Sequence, residues 1–322
     1  SSLVIIASVL IGVAMWYMKP VLVPLVMAVL ISYVLAPLVD VLHGKLRGPR
    51  WIAILFAFII TATMLSGIGA FLSSSIKGLV SRASIYEEKI VQLSRNILER
   101  INDWGLPLDK ELLMSELSEF PIGDVLSGTL NSMASWFGTF VLVLVFVVYM
   151  VAGRRARREH SPMYLEIEAK IRNYMVVKMS MSLLTGLLVS LILWIIGLDM
   201  AFVFGFLAFL LNFIPSVGSI VAAFLPLPLA MIQFDSSFLI FASVFFPGVA
   251  HLTIGNVIEP KILGSSLDLH PIVVLLSLIF WGSLWGIAGM VLAAPITAVL
   301  KIVLDRIEVT RPLSNLLSGK LP

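Results

Sequence analysis

The run Gly255-Asn256-Val257-Ile258-Glu259-Pro260-Lys261-Ile262-Leu263-Gly264 sets a carboxylate and an ammonium directly after a long apolar stretch. Charges beside such stretches are costly unless they are paired, wet or functional. Glu259 has the chemistry to bind a cation or exchange a proton, and Lys261 could neutralise it or meet an anion. The plainer reading has both charges snorkelling to an aqueous interface. Asn212 and Asn256 carry amides that could hydrogen-bond a hydroxyl-rich ligand or simply cross-link helices. His270, ahead of Pro271, could titrate near neutral pH or serve as a helix start.

These residues lie between two interruptions in apolar sequence. Asn212-Phe213-Ile214-Pro215-Ser216-Val217-Gly218 splits one stretch into two pieces of roughly half-membrane length. Trp281-Gly282-Ser283-Leu284-Trp285-Gly286-Ile287-Ala288-Gly289 splits a second. In each, the return limb begins near a glycine, Gly218 or Gly289, and reaches a proline, Pro226 or Pro295, after small and branched residues. Breaks of this kind free backbone amides and carbonyls that lipid cannot satisfy, so they must lie in protein or line a wet cavity. Paired broken segments are how secondary transporters surround a substrate near the midplane. Glycine and proline also permit close packing and kinks without transport.

What positions the breaks is a membrane. Hydrophobic residues make up 59% of the 322 residues and charged ones 13%, against about a quarter charged in soluble domains. The apolar blocks lack a one-sided period, so lipid is the environment that buries them. Spans are expected at 3–18, 21–39, 51–76, 134–151, 174–196 and 238–257, and the first reads as an anchor rather than a cleavable signal. The fold class is therefore an all-α polytopic membrane protein with about six full spans and two broken re-entrant hairpins, near 200–233 and 270–304. A small extracytoplasmic helical insertion completes it. The three regions are 1–76, the amphipathic insertion 77–133, and a transport region 134–322. Within the insertion, Ile90, Leu93, Ile97 and Ile101 fall at helical spacing, and a second short helix is expected over 110–117.

Lys45, Arg47 and Arg50, and the cluster Arg154, Arg155, Arg157 and Arg158, belong on the cytoplasmic side by the positive-inside rule. That choice puts 77–133 outside and both termini in the cytoplasm. As re-entrant segments, the first hairpin enters from outside and the second from inside, an inverted pair; limbs that crossed completely would leave the termini on the same side, so charge placement does not choose between the two.

The net charge of +3 is scattered along the spans rather than gathered on one polar face, which argues against a nucleic-acid partner and for membrane lipid. With no cysteine there is no disulfide, thiolate metal site or thiol nucleophile. No Gly-x-Ser-x-Gly, His-Glu-x-x-His or Gly-x-x-x-x-Gly-Lys pattern occurs, so no catalytic residue, metal or cofactor is assigned.

Three ordered runs carry a resemblance: Phe209 to Gly218, Gly255 to Gly264 and Leu276 to Gly282, with Leu292-Ala293-Ala294-Pro295-Ile296-Thr297 closing the chain's apolar part. They resemble the signatures of the autoinducer-2 exporter family, and the likeness covers nearly the whole chain. The resemblance implies export of a small, hydroxyl-rich quorum-sensing signal from the bacterial cytoplasm through the inner membrane. It also implies homo-oligomeric assembly, with a pentamer as the candidate. Some relatives look like sodium or proton antiporters, for which Glu259 would be the exchanging group. A non-transporting membrane scaffold is the third reading. The translocation candidates are Asn212, Pro215, Gly218, Asn256, Glu259, Lys261, Gly264, Trp281, Gly282, Trp285, Gly289 and Pro295.

Overall fold

The computed structural model describes residues 2–46, 49–81, 89, 92, 141–151, 153, 162–263 and 269–319. Among the described residues every regular element is helical. The first four helices are α1 (Ser2–Tyr17), α2 (Lys19–Leu46), α3 (Arg50–Ser81) and α4 (Val141–Val151). Of the expected insertion helix carrying Ile90, Leu93, Ile97 and Ile101, the described residues include only Lys89 and Gln92, both helical; the expected helix over 110–117 and most of 77–133 lie outside them.

The central helix is α5 (Pro162–Ile196), whose 35 residues rise about 52 Å, more than a bilayer's thickness. A first hairpin follows, built from α6 (Ala201–Leu211), α7 (Val217–Phe224) and α8 (Leu227–Gln233). Next come α9 (Ser237–Thr253), a π-helical segment (Ile254–Ile258) and α10 (Glu259–Leu263). The second hairpin pairs α11 (Pro271–Trp285) with α12 (Ile287–Arg306), and α13 (Arg311–Leu317) closes the described chain. Among the described residues, five helices are long and apolar enough to cross a membrane: those over Lys19–Lys45, Trp51–Ser75, Leu165–Ile196, Ser237–Ile262 and Ile287–Arg306. Helix α1, at 16 residues, is shorter than these.

Among the described residues, three apolar clusters hold the helices together. Ala28 and Val39 of α2 pack with Ala53 and Ala57 of α3 and Val143, Val147 and Val151 of α4. A second cluster joins Val189 and Leu193 of α5 to Ala201 and Ala208 of α6, Ala222 of α7 and Ala230 of α8. Small residues set this spacing. A Cβ on Gly205 would lie 1.7 Å from Ser190 Oγ and 2.5 Å from the Gly186 carbonyl oxygen, so α5 and α6 cross almost backbone to backbone. The third cluster contains Val23 and Tyr33 of α2, Ile171 of α5, Trp281 and Trp285 of α11, Leu292 of α12, and Ile214 from the tip of the first hairpin. Both hairpins thus share one apolar cluster. Outward faces remain rich in exposed large side chains, among them Trp194, Phe241, Leu252 and Ile279, as lipid contact requires.

The two chain reversals are made differently. The second is a single residue, Gly286, with φ 66° and ψ −144°, a conformation open to glycine and closed to L side chains. The break expected over Trp281 to Gly289 is therefore narrower than its glycine and tryptophan content suggested, because α11 stays helical through Trp285. At the first reversal Ser216 has φ 59° and ψ −54°, and the Val217 N–H donates to the Pro215 carbonyl at 2.6 Å. This is the positive-φ γ-turn, a rare and strained conformation for a non-glycine residue.

Candidate functional site

Helix α5 turns Tyr174, Lys178, Ser182 and Thr185 to one side at spacings of four, four and three, and all four are buried. A lysine in a span needs a partner, and Lys178 has one: its Nζ lies 2.5 Å from Glu259 Oε1. The two residues are 5% and 8% exposed. The π-segment is what turns Glu259 inward. In it the Glu259 N–H donates to the Ile254 carbonyl five residues back. One extra residue in that turn lets position 259 take the place an α-helix would give 258, so Glu259 continues the buried face of Ile254 and His251 toward α5.

One turn along α5, about 6 Å from Lys178, Ser182 Oγ accepts a 3.0 Å hydrogen bond from Asn212 Nδ2. Asn212 ends α6, so this bond docks the tip of the first hairpin beside the ion pair. Ser182 lies about 21 Å along α5 from Ile196, where the same hairpin begins. At that beginning the hairpin is closed on itself. Gln233 Nε2 donates to the Gly197 carbonyl at 2.7 Å, and its Oε1 accepts from the Asp199 N–H at 2.8 Å. Lys89, from the insertion, donates to the Gln233 carbonyl at 3.2 Å.

The other residues singled out from sequence fall into three groups. Pro215 is half-buried in the γ-turn. Gly218 is buried where a Cβ would lie 1.8 Å from the Leu211 carbonyl oxygen, and Gly289 where one would lie 1.9 Å from that of Trp281. The two hairpins therefore share one joint, in which the first glycine of the return limb seats on the last carbonyls of the outgoing limb. Trp281 Nε1 donates to Thr297 Oγ1 at 3.2 Å, Gly282 packs under Met290, and Pro295 is fully buried inside α12. Trp285 Nε1 donates to the Met15 carbonyl at 3.2 Å, which ties the second tip to α1. Asn256 and Lys261 are exposed, and Gly264 lies outside the described residues.

Glu259 is thus neutralised from α5 and not by Lys261. Residues two apart on a helix point in nearly opposite directions, so one that buries its carboxylate turns the other outward. Lys178 is the functional candidate that reading by apolar runs missed. A cavity of about 820 Å³ opens elsewhere, lined by Val34, Glu168, Arg172, Asn173, Val176 and Met179 among others. It follows the opposite face of α5, and neither Lys178 nor Glu259 lines it.

A helical bundle with span-length apolar helices, broken hairpins and an ion pair set deep in a span has the make of a polytopic membrane transporter. The sequence pattern described as AI-2E family transporter matches residues 5–308, and the chain belongs to that family. It is similar to the AI-2 transport protein TqsA of Escherichia coli (strain K12), 30% identical over 92% of this chain and 89% of that protein. A protein of Borreliella burgdorferi is 26% identical over 92% of this chain and 84% of its own length. YrrI of Bacillus subtilis is 26% identical over 89% and 86%. The names of these last two speak of transport and give no cargo.

Proposed function

We propose that this chain exports autoinducer-2, or a similar small polar metabolite, across the bacterial inner membrane, with both termini in the cytoplasm. The observation that carries the reading is the buried Lys178–Glu259 pair with the tip of the first hairpin docked one turn away. A buried pair must be compensated or it destabilises the fold. Held between a broken hairpin and a span, it supplies donors and an acceptor to a solute once the hairpin moves. Its two charges cancel, which favours a neutral polar cargo over an ion. The limbs of the first hairpin support the re-entrant form, since the outgoing one has 11 residues and the return is split into pieces of 8 and 7, each short of the roughly 20 a crossing helix needs. The purified protein in liposomes loaded with autoinducer-2 should release it faster than protein-free liposomes loaded alike, and changes at Asn212 or Glu259 should slow release. Flux no faster than in protein-free liposomes would sink the reading.

Sodium/proton antiport is the second reading, and it rests on Glu259 being a buried carboxylate in a span. It requires an imposed pH gradient to collapse when sodium is added, and that response to vanish in Glu259→Gln. A gradient indifferent to sodium removes it.

A further inference from the structure

His251 is 2% exposed, and neither ring nitrogen has a hydrogen-bond partner among the described residues. An orphaned polar group of this size is a standing cost of about 1–3 kcal/mol per atom and calls for an explanation. The residue lies on the inward stripe of α9, with Ser243 and Pro247 before it and Ile254 after it. Helix α9 runs antiparallel to α5: it starts beyond Gln233, which bonds the end of α5, and leads to Glu259 at Lys178. His251 is about 12 Å before Glu259 and Thr185 about 11 Å beyond Lys178, so the imidazole sits near the depth of Ser182, Asn212 and Thr185. Over it passes the return limb of the first hairpin, for a Cβ on Gly248, one turn away, would lie 3.8 Å from the Ala223 Cβ.

Charge decides what the imidazole is for. Helices α7 and α8 carry no ionisable residue, and His251 is the one ionisable residue of α9. On α5 the nearest ionisable groups are Lys178 and Tyr174, and the nearest carboxylate, Glu259, is already spent on Lys178. Among the described residues nothing there compensates an imidazolium, whereas a neutral ring offers one donor and one acceptor. That pair of functions matches a hydroxyl, which gives and takes one hydrogen bond.

We propose that His251 is a second binding station, for a neutral hydroxyl-bearing solute, uncovered when the first hairpin lifts from α9. The proposal rests on the transport reading above and narrows its cargo to uncharged polyols and their like. The test uses full-length protein in liposomes with isotope-labelled imidazole nitrogens, and with autoinducer-2, ribose and sodium chloride as probes. The His251 resonance, assigned by its loss in His251→Phe, should move with autoinducer-2 and ribose and stay still with sodium. His251→Phe should raise the KM for autoinducer-2 efflux about tenfold, and His251→Gln, which keeps a donor and an acceptor, should restore most of it. If autoinducer-2 is not transported but ribose still moves the resonance, the cargo fails and the site stands. If efflux proceeds with unchanged KM in His251→Phe and no probe moves the resonance, the site is overturned. It is overturned equally if the ring takes up a proton between pH 5 and 8 during efflux.

Discussion

Removing one member of the Lys178–Glu259 pair should destabilise the protein, and removing both should not. At 2.5 Å and an effective dielectric of about 20, the attraction is about 7 kcal/mol before desolvation is charged against it. Net of desolvation, stranding one buried partner costs about 3–5 kcal/mol, while replacing both by apolar groups of like volume is close to neutral. Lys178→Met and Glu259→Leu should therefore each lose about that much in SDS-titration unfolding of the protein in bicelles. The double variant should recover to within about 1 kcal/mol of the parent, a coupling of several kcal/mol, far above the few tenths that unlinked sites give. Folded but without its polar core, it should be silent in autoinducer-2 efflux. Additive losses in the double variant would refute the buried pairing. Full efflux from it would reduce the pair to a packing device.

Gly205→Ala should be poorly tolerated, because the new methyl carbon falls 1.7 Å from Ser190 Oγ and within 2.5 Å of the Gly186 carbonyl; a companion Ser190→Ala should recover only part of the thermal stability. Gly218→Ala and Gly289→Ala should each lower thermal stability by similar amounts, since each drives a Cβ to under 2 Å from a backbone oxygen that cannot swing aside. Unequal losses would show that the joints are not alike. Gln233→Ala removes both bonds that close the first hairpin and should raise hydrogen exchange across Ala201 to Phe224 while leaving α11 and α12 as protected as before.

Much of this was legible in sequence for a physical reason. Helices in lipid must satisfy their own backbone, so apolar length alone reveals them, and the breaks at Asn212 to Gly218 and at Gly286 stand out because proline, glycine and asparagine interrupt otherwise uniform runs. Glu259 was visible for the same reason, lying at the edge of a run. Lys178 and His251 were not, since each is a lone polar residue inside an apolar stretch and averaging over a span absorbs it. The signal that finds Lys178 is narrower: Tyr174, Lys178, Ser182 and Thr185 share one face, a polar stripe that a lipid-facing helix would not keep. The π-segment left no such mark. A Cβ on Gly255 would meet nothing, so the glycine there does not betray the extra residue that turns Glu259 inward.

The two hairpins share a joint, yet they are not held alike, and this bears on which one moves. The second is pinned at both ends. Its tip is tied to α1 by Trp285, and at its base the His270 N–H donates to the Leu317 carbonyl at 2.9 Å. Its return limb, at 20 residues, is long enough to cross by itself. In the first, the outgoing limb has 11 residues and the return is cut at Pro226 into pieces of 8 and 7. Its tip is tied to α5 by the Asn212–Ser182 bond, and side-chain hydrogen bonds inside membranes average only about 0.6 kcal/mol. The strained γ-turn at Ser216 stores about 1–3 kcal/mol that a different tip conformation would release. A gate needs a weak latch, a strained hinge and something to cover. On the transport reading proposed above, the first hairpin meets all three: its tip docks on Ser182, one turn from Lys178, and its return limb passes over the helix that carries His251.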